Sequence, residues 1–267
     1  MKTHARWLAL AAVLALAACE TVPPPPPPPP ADAPAALPAF LSDALGDPAR
    51  PEADRARDAA RKPGQLLLWA GVRPGMKIID LVPGQGYFTR IFSKAVGPKG
   101  RVYAYVPDEL TAVAKGRPPS VAAWVGKPPF ANTRMILRRM PEFGAPEKVD
   151  MIFTAQNYHD LHLPFMGPVD LAVVNRQAFK ALKPGGVYIV VDHTAKAGSS
   201  VGQWDTLHRI DPAVVRREVE AAGFVYEGET RILRNPRDPL TASVFDAGIR
   251  GKTDQFAFKF RKPRSAR

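Results

Sequence analysis

The sequence predicts an α/β protein built on a doubly wound, mostly parallel sheet. Short apolar runs alternate with helical segments through most of the chain, an order that packs helices on both faces of one sheet. Val149–Thr154 is an uninterrupted apolar run of the kind buried on both sides in a parallel sheet. Lys77–Arg90, KIIDLVPGQGYFTR, reads as an apolar strand through Ile78 and Ile79, an acid at its end (Asp80), a tight turn holding Gly84 and Gly86, and a helix start. In an open α/β sheet, such a turn is where a ligand's polar end meets backbone N–H groups and a helix N-terminus.

A chain of 267 residues with 46% apolar composition suffices for one domain with extensions. The amino-terminal part is organised differently from the rest. Lys2 and Arg6 precede the apolar run Trp7–Ala18, the charged and hydrophobic regions of a secretory signal, too short for a membrane span. The run ends Leu16-Ala17-Ala18-Cys19, which resembles a bacterial lipobox, whose cysteine becomes the lipidated first residue of the mature chain. Cys19 is the only cysteine, so no internal disulfide can form. The resemblance implies a signal peptide over 1–18 and membrane anchoring through Cys19, with Glu20 favouring the outer membrane, facing the periplasm. Pro23–Pro30 follows, in a Pro-rich linker over 19–39; eight prolines form a polyproline II rod of roughly 25 Å at about 3.1 Å per residue. The domain proper is expected over 40–267.

The net charge of +12 draws such a protein to anionic headgroups or acidic substrates. It does not indicate a nucleic-acid partner, because neither Arg134, Arg138 and Arg139 nor the basic tail Arg261–Arg267 carries the interleaved aromatics of a single-strand binder.

Taken in order, Phe40–Ala70 is broken by Asp47-Pro48 and Arg50-Pro51 into helical pieces. Pro51–Arg61 opens with proline and acids and closes with arginines, as the helix dipole favours. Pro63–Val72 presents Leu66, Leu67, Leu68 and Trp69 to the sheet. After the loop, Tyr87–Val96 is helical. Arg101–Val106 is the second strand, Ser120–Val125 a short helix, Arg134–Leu137 the third strand and Val149–Thr154 the fourth. Leu171–Leu182 is an amphipathic helix ending in Lys183-Pro184-Gly185-Gly186, and Val187–Val191 is the fifth strand. Asp211–Ala222 is a last helix before two strands, Phe224–Leu233 and Gln255–Arg261, joined by a long polar connection over Arg234–Asp254. Trp69 and Trp124 read as packing residues. Trp204 and Arg209-Ile210-Asp211, after the flexible Gly198–Gly202, read either as a lid or as a simple loop.

Two cofactors compete for the loop at Asp80–Tyr87. A dinucleotide fingerprint wants a third glycine where Thr89 stands. The stretch Ile78–Gly86 instead resembles the first motif of the class I S-adenosylmethionine (SAM) methyltransferases, with Val82 at that family's first loop glycine. LKPGGVYIVVD resembles the family's entry into its fifth strand, and KPGMKIIDLVPGQGYFT, NYHDLH and RGKTDQF look like a group of exported methyltransferases of bacterial envelopes. The resemblance runs from about Pro51 to Pro263. It implies seven strands, the last two an antiparallel hairpin at the sheet edge, and SAM held by Asp80, Gly84, Gly86, Tyr87 and Asn157. It also implies an acid for the ribose hydroxyls at the end of the second strand. Val106 occupies that position, leaving Asp108 or Glu109 to substitute.

Asp80, Gln156–His162 and Asp192-His193 all fall at the carboxyl ends of strands, where such sheets bind ligands. His159, His162 and His193 directly follow strands, and His208 precedes the last helix. Methyl transfer needs positioning and removal of a proton from the acceptor. His159 is the expected general base and Asp160 its orienting carboxylate, with Asn157 and Tyr158 shaping the pockets. The plain alternative is that His159 and Asp160 cap the following helix. A further alternative draws on Asn157, His159, His162, Asp192, His193 and His208 as ligands of a divalent metal. A third keeps the fold and uses the crevice for another envelope ligand.

Overall fold

The computed structural model describes residues 36–264. The signal sequence, Cys19 and the proline run lie outside the described residues. Seven strands build one sheet: β1 (Lys77–Leu81), β2 (Arg101–Pro107), β3 (Thr133–Arg138), β4 (Val149–Ala155), β5 (Leu182–His193), β6 (Val225–Thr230) and β7 (Gln255–Arg261). Their order is β3-β2-β1-β4-β5-β7-β6. β1 to β5 run parallel, and β7 lies antiparallel between β5 and β6. The strand order turns around between β1 and β4, which opens a crevice above their carboxyl ends.

Period-two alternation puts Ile78, Ile189 and Val191 on one face and Ile79, Tyr188 and Val190 on the other. The first face is covered by α1 (Ala39–Gly46), α4 (Pro63–Ala70) and α5 (Tyr87–Val96). Between α1 and α4, the single helix expected over Pro51–Arg61 is two turns, α2 (Glu52–Arg55) and α3 (Asp58–Arg61). The break lets two acids serve different partners. Asp54 takes Arg57 and Arg90, while Asp58 takes the buried Arg50 through two bonds of 2.9 and 2.6 Å and the Tyr87 hydroxyl at 2.5 Å. After α6 (Glu109–Val113), the second face is covered by α7 (Leu171–Ala181) and, beyond α8 (Val201–Leu207), α9 (Pro212–Ala221). Asp170 caps α7 and Asp211 caps α9 by accepting backbone N–H bonds.

The short helix α8 was not expected from sequence. Ser200 and Gln203 open it with a capping box, a signal hidden among small residues. The long connection before β7 is tied down by a buried ion pair: Arg209 donates to both Asp238 carboxylate oxygens at 2.8 and 3.1 Å and to the carbonyls of Thr194 and Ala242. Among the described residues, no helix is long and apolar enough to cross a membrane.

Candidate active site

The chain leaves β1 through Val82, Gly84 and Gly86, all with positive φ. Gly86 is doubly required, since a Cβ there would sit 2.2 Å from Trp124 Cζ2. Val82 holds a left-handed φ of 56°, an unfavourable state for a β-branched residue. Its N–H donates to the Tyr105 carbonyl at 2.9 Å, and its carbonyl accepts from Asn157 Nδ2 at 3.1 Å. Among the described residues, six non-glycine residues have positive φ, and three of them, Val82, Gln156 and His208, gather at the carboxyl end of the sheet. Such outliers concentrate where the surrounding structure enforces them for function.

Two cavities flank this loop and share Val82, Pro83 and Gly84. The first, of about 140 Å³, is polar, lined by Arg57, Arg61, Asp80, Gln156 and Asn157. The second, of about 130 Å³, is largely apolar, lined by Val106, Leu110 and Ala114 with the hydroxyls of Thr111 and Ser120. In the first, the Tyr87 ring carries the guanidinium groups of Arg57 and Arg61 over its face, at 4.9 and 4.7 Å. Arg61 also donates to Gln156 Oε1. Asp80 is buried and accepts from the Thr89 hydroxyl at 2.5 Å. Burial outweighs that bond and the charge of Arg61, so its carboxyl is pushed up to about 7. A larger depression of about 640 Å³ lies at the opposite, amino ends of β2 and β3, around Arg101 and Thr133, away from these groups.

Beyond β4 the chain passes into a buried charge cluster. Asp192, at the end of β5, is fully buried, and it accepts from the backbone N–H groups of His159 and His193 and faces His159 Nδ1, each at 2.8 Å. Burial alone would raise this carboxyl, but His159 and these bonds hold it below the ordinary carboxylate range. Burial would likewise lower His159, yet Asp192 and Asp160 overcome it and raise the imidazole to about 10. His193 goes the other way, pushed down to about 4 by burial, and bonds Thr253 Oγ1 at 2.8 Å. His159 Nε2 faces Asp160 Oδ1 at 3.2 Å and His208 Nδ1 at 3.4 Å.

Asp80, Gly84, Tyr87 and Asn157 thus meet at one cavity, with Gly86 immediately beneath the loop. Asp108 lines neither cavity: its side chain is exposed and accepts from the Thr111 hydroxyl at 3.1 Å. Glu109 turns away too, accepting from the Met140 N–H. Tyr158 is core, its hydroxyl bonded to Glu218 and Asn175, and His162 also bonds Glu218. His159 and Asp160 are adjacent, and both His159 ring nitrogens are engaged, Nδ1 with Asp192 and Nε2 with Asp160 and His208. Sequence reasoning placed Gln156 at a strand end but missed Arg57 and Arg61, whose signal was only their position late in the segment Pro51–Arg61, read there as favouring the helix dipole.

A SAM-dependent methyltransferase from Aquifex aeolicus superposes on the chain with a TM-score of 0.52 at 20% identity, covering 83% of this chain and 98% of that one. The fold is that of the class I SAM-dependent methyltransferases. No family model matches the chain. Among curated methyltransferases, the chain is 26% identical over 187 residues to the ubiquinone/menaquinone biosynthesis C-methyltransferase UbiE of Pasteurella multocida, covering 67% of this chain and 64% of that protein. The match to the same enzyme of Bordetella parapertussis is 23% over 190 residues, covering 67% and 66%. The chain spans just under two thirds of the length of these relatives.

The residues of this methyltransferase fold also suit SAM itself. Its amino-acid end carries an ammonium and a carboxylate, for which the polar cavity offers Asp80 against Arg57 and Arg61. Its adenine end is flat and apolar, like the cavity at Val106 and Leu110. At the end of β2 stands Val106, with Thr111 and Ser120 lining the same cavity and no carboxylate.

Proposed function

We propose that this chain is a SAM-dependent methyltransferase acting on a small-molecule or envelope acceptor, and that a lipidated Cys19 carries it at the outer membrane, facing the periplasm. The observation that supports the reading is the pair of unlike cavities meeting at one loop: acid against two arginines on one side, apolar walls on the other. Bound SAM would supply an electrophilic methyl group on its sulfonium. Arg57 and Arg61 would hold the donor's carboxylate and Asp80 its ammonium, while Asn157 ties down the loop through the Val82 carbonyl. Asp160, a fifth exposed, is the carboxylate that takes the acceptor's proton, and His159 orients it from behind. The lipobox-like Leu16–Cys19 supports the envelope placement.

Calorimetric titration of the purified chain with SAM and S-adenosylhomocysteine tests this reading. Micromolar binding of both, lost in Arg61→Ala, is the expected result; a well-folded chain that binds neither would end it. A second reading, a ligand-binding module without turnover, is favoured by Val106 where an acid would receive the ribose. It predicts binding of another envelope ligand and no loss of SAM label to acceptors.

A further inference from the structure

We infer that His159, Asp160 and His208 form a binding site for one divalent transition-metal ion. The three facing atoms, His159 Nε2, Asp160 Oδ1 and His208 Nδ1, are separated by 3.2, 3.4 and 3.8 Å. Ligands about 2.0–2.1 Å from a tetrahedral ion stand about 3.3 Å apart, so these atoms already sit near the corners of a coordination face. All three lie within 4.8 Å of one another, which leaves a common centre for a cation.

The surroundings match what such a face requires. A carboxylate only accepts, so His159 Nδ1, facing Asp192 at 2.8 Å, carries a proton, and an ion that displaces the Nε2 proton meets that nitrogen's lone pair aimed at the other two atoms. A histidine fixed from behind by a buried carboxylate is the usual support of a metal-bound imidazole. Three atoms able to ligate one cation therefore converge, and a bound ion would replace the proton of His159 Nε2 among them. His208 reaches the cluster from a left-handed φ of 52°, closing α8 through its own N–H to the Trp204 carbonyl at 2.7 Å, with its ring against Phe245 at 4.7 Å. His159 is shut off at 3% exposure, whereas Asp160 and His208 are 20% and 28% exposed, so the free coordination positions face outward. Two imidazoles and one carboxylate suit zinc, iron or cobalt better than magnesium or calcium.

The remaining position would take an oxygen acid, such as a phenol or enol, whose proton the cation makes easier to lose. That role rests on the methyl-transfer reading; the binding of the ion does not. His162 and His193 stay outside the site, engaged with Glu218 and Thr253.

The untagged full chain, purified and dialysed against EDTA, is titrated with Zn²⁺ and with Co²⁺, and SAM binding to the metal-free chain is measured in parallel. One ion per chain is expected, with visible Co²⁺ bands. His208→Ala and Asp160→Asn should each abolish stoichiometric binding, Asp192→Asn should weaken it roughly ten- to a hundredfold, and His162→Ala should leave it unchanged. A chain with native circular dichroism that binds neither ion overturns the site, as does binding that His208→Ala does not alter. SAM binding without metal binding would sink the metal site and spare the methyl-donor reading; the converse would do the reverse.

Discussion

Under β1 and β2 the crevice is made mainly of backbone: a turn of three positive-φ residues, two small cavities and one buried acid. Beyond β4 and β5 it is made of paired charges, with Asp192 between two histidines of opposite protonation and Arg209 locked to Asp238. A turn of this kind needs only glycines, an acid and a strand before it, and any methyltransferase fold can supply them. The charge cluster draws on residues from four separate segments, around His159, Asp192, Arg209 and Asp238. On the proposed reading, the methyl donor is held by the first half and the acceptor meets the second.

The contrast breaks most visibly at Arg209. Arg209→Ala strands a buried Asp238 and should cost about 3–5 kcal/mol, lowering the melting temperature by roughly 10 °C. If the halves are separable, calorimetry well below that melting point will find SAM binding retained. Arg61→Ala works on the other half. It should weaken SAM roughly ten- to a hundredfold, the value of a lost charge-assisted bond, with little change in thermal stability by scanning calorimetry.

Asp80 ties the first half to pH. Its folded carboxyl lies near 7 against an ordinary 3.8, so the folded state holds the proton more tightly. The stabilisation from that proton is full below about pH 4 and is lost as pH rises through 7. Asp80→Asn should remove this loss, so that denaturant melts of the variant vary less between pH 4 and 7 than those of the parent. Because the ammonium of SAM favours ionised Asp80, the parent's affinity should also fall as pH drops below 7. Val82→Gly is the smallest change: relief of a left-handed valine offsets lost apolar burial, leaving stability within about 1 kcal/mol by denaturant titration.

The sheet was legible because strand periodicity and the glycine turn are local. So was the start of α9 at Asp211, whereas Asp170, which caps α7, went unread. The break between α2 and α3 was not, because Asp54 and Asp58 choose partners, Arg90 and Tyr87, far along the chain. The first cavity was half legible: Asp80 and the glycines stood in the motif, but Arg57 and Arg61 reach it only through the stack on Tyr87. The gathering of histidines at strand ends was visible, yet their states were not. His159 and His193 sit beyond neighbouring strands, and they differ because the His159 ring faces Asp192 and Asp160, whereas His193 meets Asp192 through its backbone N–H and is buried beside Arg209. Asp108 misled for a related reason, since the turn after β2 directs it to Thr111 and solvent.

Backbone hydrogen exchange, followed with and without saturating SAM, addresses the division of the crevice most directly. Slowed exchange at Leu81–Phe88 and across Pro107–Val121, with no change over His193–Ile210, is the predicted result. Protection confined to His193–Ile210, or none anywhere, would contradict it.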